Sequence, residues 1–134
     1  PVFRRRRFFQ GRPIKGSNIE DIAWLRPDGQ QMCEEDWNAG LARTVGIFLN
    51  GRGIPDHDDL GERIIDDSFL LLINAYHRPL AFTLPDSAYG RSWEIVVDTT
   101  DPLLANARRK QRDAVPGGRL RLQARAMLVL RCRY

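Results

Sequence analysis

From residue 119 to residue 133 the chain alternates in polarity at almost every position. The even positions carry Leu120, Leu122, Ala124, Ala126, Leu128, Leu130 and Cys132, and the odd ones include Arg119, Arg121, Arg125, Arg131 and Arg133. Successive side chains of a strand point to opposite faces, so this run puts an apolar set into a core and its arginines into solvent. Strands rarely exceed about ten residues, and the spacing therefore predicts a bend near Gln123-Ala124 and two strands rather than one straight ribbon.

Shorter signals of the same kind precede it. Asp21-Ile22-Ala23-Trp24-Leu25-Arg26 is a short apolar run that reads as a strand, ended by Pro27-Asp28-Gly29, a turn sequence. Glu34-Glu35-Asp36-Trp37 places acids where the N-terminal end of one helical turn favours them. Residues 44–49 read as a second strand, closed by Asn50-Gly51, and residues 52–67 as a polar surface loop. Residues 68–74 are the most apolar segment, which predicts a strand buried on both faces. With the turn at Tyr76-His77-Arg78-Pro79 and the run from Leu80 to Leu84, they predict a hairpin. Leu71 and Leu128 are the expected core positions. Residues 93–98 carry β-branched side chains suited to a pleated surface, and residues 99–118 form a second long polar connection. Six or seven short strands with little helix define the fold class as all-β, an antiparallel β-sandwich.

A chain of 134 residues is ordinarily one domain with its own core. No apolar run approaches the ~20 residues of a membrane-spanning helix, so no membrane partner is expected. Cys33 and Cys132 are too few for a disulfide framework, which points to a reducing, cytoplasmic compartment. Charge is segregated. Residues 1–15 carry six positive charges and no acid, residues 16–67 hold four arginines against twelve acids, and residues 68–134 hold eleven positive residues against five acids. An acidic middle of this size repels phosphate, so no nucleic-acid partner is expected unless the two basic segments converge on one face.

Few residues offer chemistry. Glu34-Glu35, Asp58-Asp59 and Asp66-Asp67 are acids adjacent in sequence, which point apart on a strand and are solvated in loops. None qualifies as catalytic. His57 and His77 have no partner at metal-ligand spacing, so neither a metal nor a cofactor is expected. Trp93 lies in an apolar strand and is assigned to the core, whereas Trp24 and Trp37 have ring faces that can stack on sugars.

Read in order, several segments resemble one family. They are Pro1-Val2-Phe3-Arg4-Arg5-Arg6-Arg7-Phe8-Phe9-Gln10-Gly11, then Asp21-Ile22-Ala23-Trp24-Leu25-Arg26-Pro27-Asp28-Gly29, then Met32 with Glu35-Asp36-Trp37. Gly46 to Gly51, Asp67 to Ala75 and Phe82-Thr83-Leu84-Pro85 continue the likeness. Together they resemble the tail of bacterial glycogen debranching enzymes, the isoamylase-type members of the α-amylase superfamily. The resemblance implies a (β/α)8 barrel that carries the chemistry, followed by a β-sandwich. It places residues 1–16 at the end of the barrel and linker, with a short remnant of the barrel's last helix, and residues 17–134 in the C-terminal β-sandwich domain. The chain is then a C-terminal fragment.

The implied reaction of the parent is hydrolysis of α-1,6-glucosidic branch linkages in glycogen. A retaining glycosidase needs two carboxyl groups about 5 Å apart, and the resemblance puts both ahead of Pro1. The fragment itself is therefore expected to be no enzyme. Its implied partners are the catalytic barrel and, through the parent, α-glucan. The Arg4–Arg7 run would pair with barrel carboxylates and cover apolar surface with its aliphatic stems. Trp24 and Trp37, near the implied junction, are the candidate glucan contacts. The alternative is an autonomous α-glucan-binding module, favoured if those two rings are exposed and coplanar.

Overall fold

The computed structural model describes residues 1–14, 16–39, 43–101 and 113–133. Along them run β1 (Ile22–Leu25), the helical turn α1 (Glu34–Asn38), β2 (Thr44–Leu49), β3 (Ser68–Asn74), β4 (Leu80–Thr83), β5 (Trp93–Asp98), β6 (Asp113–Ala114), β7 (Arg119–Leu122) and β8 (Ala126–Cys132). Six strands make one sheet in the order β1-β2-β3-β8-β5-β6, and β4 and β7 make a second. All pairings among them are antiparallel. The inner faces meet in a core that includes Leu25, Phe48, Leu70 and Leu72 from the first sheet and Phe82 and Leu122 from the second. Trp93 lies within it, fully buried, as its sequence context implies. This is the expected all-β sandwich.

The alternating C-terminal run divides where its length demands. β7 and β8 lie in different sheets, and between them Arg125 takes a left-handed backbone with φ 49°. The even positions Leu122, Ala126, Leu128 and Leu130 are buried. The turn after β1 needs its glycine. Gly29 has φ 82°, and a β-carbon there would lie 2.8 Å from the Thr83 carbonyl oxygen. Gly46 on β2 is inward-facing, and the Phe82 ring of the opposite sheet fills the space a side chain would take, 2.8 Å from an added β-carbon.

One expected pairing is wrong. β3 and β4 do not form a hairpin, because β3 pairs with β2 and β8 while β4 crosses to the second sheet and pairs with β7. The physical reason is Asn74, the last residue of β3, which is 1% exposed. Its Nδ2 donates to the carbonyls of Arg78 and Gln123, both at 3.0 Å. Its Oδ1 accepts from the Thr44 hydroxyl at 3.0 Å and from the Tyr76 N–H at 2.9 Å. An amide has two donors and two acceptor lone pairs, and all four are used. The corner leaving β3 is thereby clipped to the corner entering β8, which the Arg125 N–H reinforces by donating to the Tyr76 carbonyl at 3.0 Å.

The outer face of the larger sheet is also apolar. Register places Trp24, Ile47, Leu71, Val129 and Val97 directly beside one another across five strands. Leu71 thus points outward, against expectation, while Leu70 and Leu72 point into the core and Leu128 is buried as expected. Val97 reaches this row because the register shifts between Ile95 and Val97, leaving Val96 as a bulge.

Residues 1–14 contain no helix, so the expected helical remnant is not formed. A stretch this short has little helical stability alone, and its polar groups find better partners on the sandwich. Val2 is fully buried against Leu49 and Ile54, and the cluster extends to Phe9, Ile22, Ile64 and Phe69. The Val2 N–H donates to Asp66 at 2.7 Å. Asp21, immediately before β1, gathers the strap. Its carboxylate accepts from the N–H groups of Gln10 at 3.0 Å and Gly11 at 2.9 Å. It also pairs with the Arg5 guanidinium at 3.4 Å, with both side chains almost wholly buried.

Two outcomes follow. Asn74→Ala strands a hydroxyl, an N–H and two carbonyls, and should lower unfolding free energy by about 3 kcal/mol, read as a lower urea midpoint at unchanged slope. Asp21→Ala breaks a buried ion pair and should lower stability by about 3 kcal/mol while freeing the strap, read as loss of amide protection at Val2, Gln10 and Gly11. A loss below about 0.5 kcal/mol in either variant contradicts its assigned role.

Candidate functional site

Beyond the turn at Pro27–Gly29 the chain doubles back along the edge of β1. The Arg26 N–H donates to the Gln30 carbonyl at 2.8 Å and the Met32 N–H to the Trp24 carbonyl at 2.7 Å. α1 starts from Cys33, whose N–H donates to the Asp36 carboxylate at 2.8 Å and whose thiol lies 3.1 Å from it. Arg26 binds Asp28 through Nε at 3.2 Å and through a terminal nitrogen at 2.8 Å, and also reaches Asp36 at 3.6 Å. One guanidinium therefore ties turn and helix together, and α1 is held beside β1.

This arrangement brings the two candidate tryptophans together. Trp24 projects from the outer face of β1 and Trp37 from α1, their ring centroids 5.3 Å apart and their planes at 75°. Trp24 is 37% exposed and Trp37 52%. They are exposed but not coplanar, so they form an edge-to-face wedge rather than a flat platform. Beside them lies an open groove of about 490 Å³ lined in part by Met32, Asp36, Arg43, Tyr76 and Leu80. The Arg43 guanidinium sits 4.7 Å over the Tyr76 ring. Tyr76 reads in the sequence only as a turn residue, because nothing local signals that the corner after β3 lies beside α1.

The local electrostatics follow from the Arg26 cluster. The hydrogen bond from Arg26 holds the Asp28 carboxyl below its ordinary value. Asp36 is lowered as well, chiefly by the Cys33 N–H and thiol and then by Arg26. Arg26 is raised by the hydrogen bond to Asp28.

Other sequence candidates stay apart from any such site. His57 and His77 are exposed, and among the described residues no group of three or more His, Cys, Asp or Glu side chains could hold a metal ion. Asp58 accepts the N–H groups of Leu60 and Glu62 and shapes its own loop. Asp66 serves Val2, and Asp67 lies 3.9 Å from Arg131. Cys33 and Cys132 are free. Of the Arg4–Arg7 run, Arg5 pairs with Asp21 and Arg7 approaches Asp56 at 3.8 Å, both carboxylates that follow the basic segment in this chain. Asp21 went unnoticed in the sequence, although an acid set between a basic segment and an apolar run is a signal that could have exposed it.

The sequence pattern of the family described as "Isoamylase, C-terminal" matches residues 21–131, from the residue before β1 to the penultimate residue of β8. The chain belongs to this family of C-terminal β-sandwich domains. Among individual proteins, it is 50% identical over 103 residues to the glycogen operon protein GlgX homologues of Mycobacterium bovis and Mycobacterium tuberculosis. The aligned stretch is 76% of this chain and 14% of each relative, so the chain spans a small part of the curated proteins it matches.

The Arg26 cluster makes a pH prediction. Asp28 and Asp36 have folded values below 3.8, the ordinary aspartate value. Their contribution to stability is complete above that value and is lost as pH falls through the lower folded values. Carboxyl-carbon NMR titrations should give midpoints below 3.8 for both; a midpoint at or above it would contradict the Arg26 bond at Asp28, or the Cys33 donors at Asp36.

Proposed function

We propose that this chain is the non-catalytic C-terminal β-sandwich of a glycogen-debranching enzyme, in which a separate barrel domain hydrolyses α-1,6-glucosidic linkages. The single observation that carries the reading is the isoamylase C-terminal match, which frames every strand from β1 to β8. The names of the mycobacterial relatives support the link to glycogen. In keeping with it, the acids Asp21, Asp28, Asp36, Asp58 and Asp66 are each engaged by backbone or arginine donors. A glycosidase instead requires two carboxyl groups facing each other across a cleft.

In this reading residues 1–16 are the end of the barrel and linker and residues 17–134 the sandwich. The strap through Val2, Arg5 and Asp21 is then the joint between them, and it supports a bracing role in which the sandwich stiffens the barrel's end. Among the described residues no helix is long and apolar enough to cross a membrane. The two free cysteines favour a cytoplasmic setting.

A second reading, an autonomous α-glucan-binding module, draws on the exposure of Trp24 and Trp37. The 75° angle between the rings weakens it, because consecutive sugars of one chain cannot lie flat on both. Single stacking contacts give roughly 1 kcal/mol each, and ordering a flexible oligosaccharide offsets much of that. Any glucan contact here is accordingly weak.

The purified 134-residue chain should therefore release no linear chains or reducing ends from glycogen. Titration with maltoheptaose should shift only NMR signals around Trp24 and Trp37, with affinity near the millimolar range. Hydrolysis by the isolated chain overturns the leading reading, and submicromolar binding replaces it with the second.

A further inference from the structure

At the end of the sandwich where β2 and β8 finish and β3 and β5 begin, the chain encloses a cleft of about 690 Å³. That volume is ordinary for a small-molecule site. Part of its lining is apolar. Phe48 and Ile19 reach it from the core, and the Tyr89 ring stands edge-on to Phe48 with centroids 5.1 Å apart. One wall depends on a close approach. A β-carbon added at Gly90 would lie 2.8 Å from the Trp93 ring and 3.0 Å from the Cys132 sulfur, so glycine is what lets the β4–β5 connection settle on the end of the core.

Four arginines converge on this space from three separate places. Arg52 and Arg63 come from the connection after β2, Arg91 from the connection before β5, and Arg133 from the residue after β8. Among the described residues the lining sets one carboxylate against them, Asp66, whose oxygens already accept the N–H groups of Val2 at 2.7 Å and Asp67 at 2.9 Å. Arg63 donates to the Arg52 carbonyl, at 2.6 Å, which fixes it to the wall and leaves other N–H groups of its guanidinium to donate. Arg133 shares Glu94 with Arg131, at 3.6 and 3.0 Å. Arg91 pairs with no carboxylate among the described residues. Exposed arginines ordinarily sit singly in solvent, as Arg119 and Arg121 do on β7. Those of the cleft face one partly enclosed space, where low-dielectric walls focus their field.

We propose that this cleft binds a small phosphomonoester that carries hydroxyl groups, a sugar phosphate, with Arg63, Arg91 and Arg133 as its phosphoryl ligands. Guanidinium forks match phosphate oxygens and bind them through charge-assisted hydrogen bonds. The rest of the lining suits a polyol. Ser17 and Ser68 accept the N–H groups of Ile19 at 3.0 Å and Gly51 at 3.1 Å, and each keeps its own hydroxyl proton to donate. The apolar face of a sugar ring fits against Tyr89 and Phe48. A bare inorganic anion would leave most of the cleft unfilled. The site includes neither Trp24 nor Trp37, and it does not rest on the chain's place in a longer enzyme.

The test is an NMR titration of the 134-residue chain with glucose 6-phosphate, inorganic phosphate and glucose. Glucose 6-phosphate should shift the amides of Ser68, Tyr89, Arg91 and Arg133 and bind at least about tenfold more tightly than either of the others, since only it engages both halves of the lining. Arg63→Gln/Arg91→Gln should weaken that binding by about tenfold or more, through loss of charge-assisted bonds. The control Arg119→Gln/Arg121→Gln removes the same charge from open surface and should change the affinity by less than about twofold. A control that weakens binding as much as the cleft pair overturns the proposal, because attraction is then to net charge alone. So does the absence of cleft shifts at about 10 mM glucose 6-phosphate, a concentration that would reveal even a millimolar site. Inorganic phosphate or glucose binding as tightly as glucose 6-phosphate overturns the ligand class. If the cleft variant fails to fold, the wild-type shift map and the ranking of the three ligands decide.

Discussion

One buried amide ties together the two corners at which the chain crosses between the sheets of this sandwich. Asn74 spends its two donors on the carbonyls of Arg78 and Gln123 and its two acceptor positions on the Thr44 hydroxyl and the Tyr76 N–H. Each of those groups belongs to a place where the chain changes sheet or begins a central strand. Left unpaired in this interior, each would weaken the fold by about 1–3 kcal/mol. The amide thus makes the corner after β3 and the corner before β8 a single structure, at the points where the chain crosses to β4 and returns from β7. The inward ladder of Leu70, Leu72, Leu128 and Leu130 is positioned by the same arrangement.

A second polar anchor, Asp21, works on the outer face. It collects two backbone N–H groups and a guanidinium from the residues ahead of β1, and so turns an arginine-rich segment into a strap. The segregation of charge along the sequence then has a local meaning. Two arginines of the basic segment meet the acidic region that follows, Arg5 at Asp21 and Arg7 at Asp56. Arg5 is thereby withdrawn from solvent into a buried ion pair. Beside the strap the outer face of the larger sheet is apolar, so the most hydrophobic strand, β3, carries apolar side chains on both of its faces.

The strands were legible because each imposes a period of two on its own residues. The bend was legible because fifteen alternating residues exceed what one strand spans, and Arg125 turns the chain within two residues of the expected place. The hairpin was misread because a short turn between two apolar runs looks the same whether the strands pair or cross between sheets. The deciding contact, from Asn74 to the carbonyl of Gln123, spans 49 residues and leaves no local trace. Leu71 was misplaced for a related reason, since a run of three leucines does not say which one faces inward until the partner strands are known. For Trp24 and Trp37, nothing local in the sequence signals that the two rings meet, and the angle between them depends on how Arg26 and Asp36 hold α1.

If Asn74 is the joint on which the sandwich depends, the two corners and the second sheet should open only when the whole domain opens. Native-state hydrogen exchange with low denaturant measures this directly. The account predicts that amides of β4 and β7, the Arg125 amide and the Asn74 side-chain NH2 protons exchange at the same free energy as those of β3 and β8, all converging on global unfolding. Exchange of β4, β7 and the Asn74 side chain through a separate opening, several kcal/mol below the global value, would show that the Asn74 corners are not part of the global unit and would contradict it.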